Sequence, residues 1–241
     1  MATTSDRFAL SDLRRGALAG AAILGLVLPP AGPPGASAAH RATPGESAST
    51  RQPDFGAASP SAEARQLAAW IADARDNGAA GFAIVDKTHA VVHVFDAQAR
   101  LRASSPVLLG SARGDDSVPG IGTRPVDQVR PHERTTPAGR FVAEPGRNAL
   151  GEDVIWVDYG AAVSMHRVRT THAAERRAER LASATIDDNR ISYGCINVPA
   201  AFYDAHIQPT FAAQRAVVYV LPETRPLRQV FGSYDVASTR H

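Results

Sequence analysis

The chain has 241 residues, room for one large core or two small ones, and 44% of them are hydrophobic, as in an ordinary globular protein. Its 26 basic and 24 acidic side chains give a formal net charge of +2, which excludes an electrostatic footprint for nucleic acid. Lys87 is the only lysine, so nearly every cation is a guanidinium.

Residues 1–38 read as a signal peptide. Arg14 and Arg15 precede an apolar run from Ala17 to Leu28, ended by Pro29 and Pro30, and Ala36-Ser37-Ala38 has the form of a cleavage site. The run is too short for a bilayer core, which needs ~20 apolar residues, so no stable membrane anchor is expected after cleavage. Leu13 and Ala17 depart from the twin-arginine pattern, leaving the Sec and Tat routes both open. Residues 39–60, rich in Ala, Ser, Pro and Gly without periodicity, read as a disordered linker.

Order is expected over 61–235, with a tail at 236–241. It opens with a helix over 61–77, capped by Ser59 with Pro60 in its first turn and closed by Gly78. Leu67, Trp70, Ile71 and Ala74 form its core-facing stripe. Phe82–Val85 and Val91–Phe95 then predict a hairpin around Asp86-Lys87-Thr88-His89, and Val107–Leu109 a third strand. The glycine- and proline-rich stretch from Gly110 to Pro137 reads as a long site-shaping loop. Its Gly120-Ile121-Gly122 lacks the strand-turn-helix context of a nucleotide fingerprint, and Asp115-Asp116 lacks the ligand spacing of a calcium loop. Strands are expected again at Arg140–Ala143, Val154–Val157, Ala162–Val168 and Val217–Leu221. A polar surface segment is expected from Thr170 to Ser183, and a short helix from Pro199 to Ile207. The fold class is mainly β with peripheral helices.

Cys195 is the one cysteine, set in Ile191-Ser192-Tyr193-Gly194-Cys195-Ile196-Asn197. An exported chain meets an oxidising compartment, where a lone thiol closes no internal bridge and is a liability unless used. It reads as a nucleophile, and a thiol needs a base to ionise at neutral pH. Of eight histidines, His40 and His241 fall in the linker and tail, His89 and His93 at half-exposed hairpin positions, His132 in the long loop and His206 on a helix face. His166 ends a strand and His172 follows it; position leaves both as candidates. There is no H-E-x-x-H or C-x-x-C spacing, so neither a metal nor a cofactor is expected.

The segment Ser192–Asn197 resembles the S-H-G-C-I-R signature of the L,D-transpeptidase catalytic domain, a family that cross-links bacterial peptidoglycan. Thr136-Pro137-Ala138-Gly139-Arg140-Phe141 is similar to its T-P-x-G-x-F segment, Met165-His166-Arg167 to its strand-end histidine, and residues 82–96 to its opening hairpin, all in the right order. The resemblance spans roughly residues 80–221. It implies an L,D-transpeptidase-like β-sandwich, with Cys195 as nucleophile and His166 as base, oriented by a backbone carbonyl. Donor stem peptides would be cut after their third residue, with a thioester on Cys195 resolved by an amine to give a 3–3 cross-link. Backbone N–H groups around Tyr193, Gly194 and Cys195 would hold the oxyanion, with Ser192 supporting the turn or the thiol.

Three departures stand out. Tyr193 replaces the usual histidine. Asn197 replaces the usual arginine, with Arg190 or Arg167 as substitutes for contacting substrate. The His166–Cys195 spacing is about twice the family's, the excess matching residues 170–183, whose arginines either meet stem-peptide carboxylates or form a solvated helix face. The expected setting is the periplasm or cell wall, and the expected partners are peptidoglycan stem peptides. L,D-carboxypeptidase or wall-linkage hydrolase action at the same site, and a non-catalytic wall-binding module, are the alternatives.

Overall fold

The computed structural model describes residues 51–212 and 215–237. The signal-peptide reading and most of the linker and tail lie outside them.

Among the described residues, ten strands follow in order: β1 (Phe82–Asp86), β2 (Val91–Phe95), β3 (Leu101–Pro106), β4 (Leu109–Gly110), β5 (Gly139–Arg147), β6 (Asp153–Asp158), β7 (Val163–Arg167), β8 (Arg190–Ser192), β9 (Ile196–Val198) and β10 (Ala216–Val220). Eight form one sheet in the order β3-β2-β1-β10-β5-β6-β7-β9, while β4 and β8 pair separately. The β1–β10 and β7–β9 pairs are parallel. Leu108 and Asn197 exchange both backbone hydrogen bonds, at 2.8 and 2.9 Å, so the chain leaving β3 meets β9 and the sheet nearly closes on itself. The architecture is mainly β with short peripheral helices.

The apolar runs of β1 and β10 are continuous because both faces of these strands are buried. Ala83, Val85, Val218 and Val220 point into an inner core with Ile155, Met165, Ile196 and Tyr203. Their alternates Phe82, Ile84, Val217 and Tyr219 point out, under helix α1 (Ala62–Ala74), against Leu67, Trp70 and Ile71. Phe82 stacks on Phe95 at 4.7 Å between ring centroids.

Several expectations need correction. Ser61, not Ser59, caps α1, its hydroxyl accepting from the Ala64 amide at 3.0 Å. The helix ends at Arg75 in the left-handed region, before Gly78, because the buried Asn77 side chain is drawn to the carbonyls of Ala80 and Ala97. Residues 51–58, read as linker, include a bridge between Asp54 and Arg100, with Phe55 edge-on to Phe95. The third strand is β3, earlier than expected, because its short polar alternation carries little apolar signal. The helix after Pro199 runs beyond Ile207. It comprises α3 (Ala200–Phe202), a π-turn (Tyr203–Ile207) and α4 (Gln208–Ala212), burying Tyr203, Ile207 and Phe211 at four-residue intervals. Within 170–183 the chain forms a 3₁₀ turn (Ala173–Glu175) and α2 (Arg177–Ala182). A further helix, α5 (Leu227–Phe231), follows β10. Among the described residues no helix is long and apolar enough to cross a membrane.

Candidate active site

Parallel pairing of β7 with β9 sets Met165 opposite Ile196 and His166 opposite Asn197. Met165 and Ile196 are buried in the inner core, so the strand period of two turns Ser164, His166, Cys195 and Asn197 to the other side together. Four polar side chains therefore converge where the sheet nearly closes.

His166 and Cys195 lie close enough for each to act on the other's ionisation. Nδ1 of His166 lies 2.8 Å from the carbonyl oxygen of Arg167, which can only accept, so this nitrogen carries a proton and Nε2 is left for the thiol. The orienting carbonyl thus belongs to the next residue. Burial opposes ionisation of Cys195, but the hydrogen bond and charge of His166, with the Ser164 amide and hydroxyl, outweigh it and hold the thiol below its ordinary value. For His166, burial likewise opposes the charge, Cys195 and the Arg167 carbonyl prevail, and Arg177 pulls the other way, leaving the imidazole above its ordinary value. Opposite shifts of this kind favour a thiolate–imidazolium pair. The sulfur also lies 3.7 Å from Ser164 Oγ and 3.7 Å from the Ala162 carbonyl. His172, by contrast, stands exposed before the 3₁₀ turn.

The turn bearing Cys195 is tied at several points. Gly194 has φ +130°, and an added Cβ would lie 2.8 Å from the Thr135 carbonyl oxygen, so no larger residue fits unstrained. Ser192 Oγ donates to the Cys195 carbonyl at 2.6 Å and accepts from the Gly194 amide at 3.1 Å. That contact corrects one expectation: the Gly194 amide is taken by Ser192 and is not a ready oxyanion donor. Thr136, fully buried, accepts from the Gly110 amide at 2.9 Å and donates to the Gly194 carbonyl at 2.8 Å. Behind it, buried Lys87 donates to the carbonyls of Gly114 and Thr136 and to Asp115. The loop from Gly110 to Pro137 is drawn in further at Gly122, where a Cβ would meet the Gly160 carbonyl at 2.5 Å. Tyr193 is exposed, with the Arg134 guanidinium 3.9 Å from its ring centroid.

The two arginines expected to contact substrate are engaged elsewhere. Arg167 spans Asp153 and Asp204 and lies over the Tyr203 ring. Arg190 is buried against Glu223 and the Lys87 carbonyl. The cation that does reach Asn197 is Arg177, whose Nη1 donates to Oδ1 at 2.5 Å. Arg177 therefore does not belong to a solvated face, whereas exposed Arg176 pairs with Glu179. Ser164 was missed as well, although its place two residues before His166 on a strand was a usable signal. His93 is buried rather than half-exposed, bonded through Nδ1 to Ser104 Oγ at 2.7 Å. A cavity of about 380 Å³ reaches His166 between Asp153, Arg167, Arg169 and Ala200. Among the described residues no cluster of three or more His, Cys, Asp or Glu is placed to hold a metal.

No protein-family model and no curated protein matches the chain. Among solved structures it is similar to an L,D-transpeptidase from Xylanimonas cellulosilytica (15% identity, TM-score 0.35), covering 59% of this chain and 61% of that one. It is also similar to the helical cell shape determining protein Pgp2 from Campylobacter jejuni (13% identity, TM-score 0.41), covering 69% and 58% respectively. A third is the catalytic domain of the E. faecium L,D-transpeptidase (15% identity, TM-score 0.33), covering 59% of this chain and 98% of that one. The chain resembles L,D-transpeptidase catalytic domains. It spans less than two thirds of the length of the first two chains.

Proposed function

We propose that the chain is an exported cysteine L,D-transpeptidase that acts on peptidoglycan stem peptides in the periplasm or cell wall. The observation that carries the reading is the convergence of Cys195 and His166 where β7 pairs with β9, with the imidazole fixed from behind by the Arg167 carbonyl. In this reading the thiolate attacks the carbonyl after the third residue of a donor stem, and the carbonyl π electrons move onto oxygen. Amides of Tyr193 and Cys195 stabilise that oxyanion, the Gly194 amide being occupied by Ser192. Collapse of the tetrahedral species expels the D-alanine amine, which takes the proton from His166, and leaves a thioester on Cys195. A second stem's amine then adds to the thioester, His166 removes its proton, and the thiolate departs as a 3–3 cross-link forms.

Intact mass after incubation with a carbapenem tests the site, alongside Cys195→Ala. An adduct confined to the wild type supports an activated thiol with a working oxyanion site. No adduct, repeated with a tetrapeptide muropeptide donor, would sink the enzyme reading in favour of a wall-binding module. Product mass with an amine acceptor present separates transfer from hydrolysis.

A further inference from the structure

We propose that Arg177, carried by the segment between His166 and Cys195, is a positioning residue for that pair and acts through the side chain of Asn197. The inference rests on the reading of Cys195 and His166 as the reacting pair.

Asn197 is 0% exposed, and its backbone is held on both sides, by β7 in register with His166 and by the double hydrogen bond to Leu108. The freedom left to a side chain so enclosed is chiefly a flip of its terminal amide, which exchanges a donor for an acceptor. Arg177 decides that flip. A guanidinium has only donors, and Nη1 lies 2.5 Å from Asn197 Oδ1, so the amide oxygen faces Arg177 and the NH₂ faces away. The NH₂ then donates to the Cys195 carbonyl at 3.2 Å and lies 3.5 Å from His166 Nε2. The opposite flip would set oxygen against the Cys195 carbonyl and NH₂ against the guanidinium, losing both contacts. An oxygen beside Nε2 would also compete with Cys195 for the imidazolium proton.

Arg177 is itself held from behind. Its Nε donates to Glu175 at 2.6 Å, and the guanidinium-bearing side chain is only 14% exposed. Arg180 fastens the same turn through the Glu175 and Asp188 carbonyls. The extra length between His166 and Cys195 thus delivers a cation to Asn197 Oδ1. Its charge also opposes protonation of His166.

The test is the rate of Cys195 alkylation by iodoacetamide across pH, which needs a reactive thiolate and no wall substrate. Arg177→Ala should slow alkylation at neutral pH about tenfold, as for one lost hydrogen bond to a charged group. Arg177→Lys should recover most of that rate. The step where His166 loses its proton should move to higher pH in Arg177→Ala. Asn197→Ala combined with Arg177→Ala should be no slower than Asn197→Ala alone, whereas Arg176→Ala should match the wild type. An Arg177→Ala variant alkylated at the wild-type rate, or losses that multiply in the double variant, would overturn the proposal. If Asn197→Ala does not fold, the Ala and Lys variants at Arg177 still decide it. Slow alkylation in Arg177→Ala beside a wild type that takes no carbapenem would sink the transpeptidase reading and leave this one standing.

Discussion

Thr136→Val isolates what one hydroxyl contributes to the cysteine turn. Valine keeps the branched shape, so packing at this fully buried position is nearly preserved and only the hydrogen bonds go. Two are lost: the one from the Gly110 amide at 2.9 Å and the one to the Gly194 carbonyl at 2.8 Å. Both partners belong to buried glycines, so water does not readily replace the hydroxyl. At about 1–3 kcal/mol for each stranded group, the variant should lose about 2–6 kcal/mol. Urea denaturation reads that loss as a lower midpoint at unchanged slope. Carbapenem acylation should slow as well, because the Gly194 carbonyl belongs to the peptide unit whose N–H is that of Cys195. A variant within ~0.5 kcal/mol of wild type, the ordinary range for an inert surface change, would refute the reasoning.

His166→Ala should shift the pH inflection of Cys195 alkylation upward, since the hydrogen bond and charge that depress the thiol are gone. A wild-type inflection in the variant would transfer the activating role to another group, Ser164 being the nearest. The sign for His166 is opposite: its raised value means that protonation of the native pair persists above the unfolded imidazole's range, and its contribution to stability fades as pH rises through the raised value. Lys87→Met should destabilise the fold by about 3–5 kcal/mol, because Asp115 and the carbonyls of Gly114 and Thr136 lose a buried cation. Thermal and urea melts that coincide with wild type would show that Arg225, whose Nε lies 3.7 Å from Asp115, suffices for that carboxylate.

The most legible parts of the sequence were those governed by short-range pattern. The runs at β1, β2 and β10 stand out because burial on both faces keeps them mostly apolar, with few polar residues among them. β3 hid because its Arg102 and Ser104 are exposed alternates in a short strand of small residues. The cap of α1 slipped by two residues because Ser59-Pro60-Ser61 offers two serines, and only the bond to Ala64 tells them apart. At the site, Cys195 announced itself by chemistry and Gly194 by the turn it allows. The occupation of the Gly194 amide by Ser192 was hidden, since one hydroxyl can support such a turn in several ways. Arg177 was least legible of all. Four arginines lie between Arg167 and Arg190, and only the path of the intervening chain shows which one turns inward.

The paired backbone bonds between Leu108 and Asn197 join segments remote in the chain, and the reactive cluster lies along that seam. Contacts of such long sequence separation carry a high loop-closure cost and tend to form late in folding. Until the seam zips, β9 is not seated beside β7, and the sulfur lacks the imidazole that promotes its ionisation. A nascent chain therefore carries an ordinary, mostly protonated thiol, sluggish toward oxidants and other disulfides. On the proposed reading, reactivity is switched on by completion of the sheet, so the chain is shielded from its own chemistry while it is most exposed.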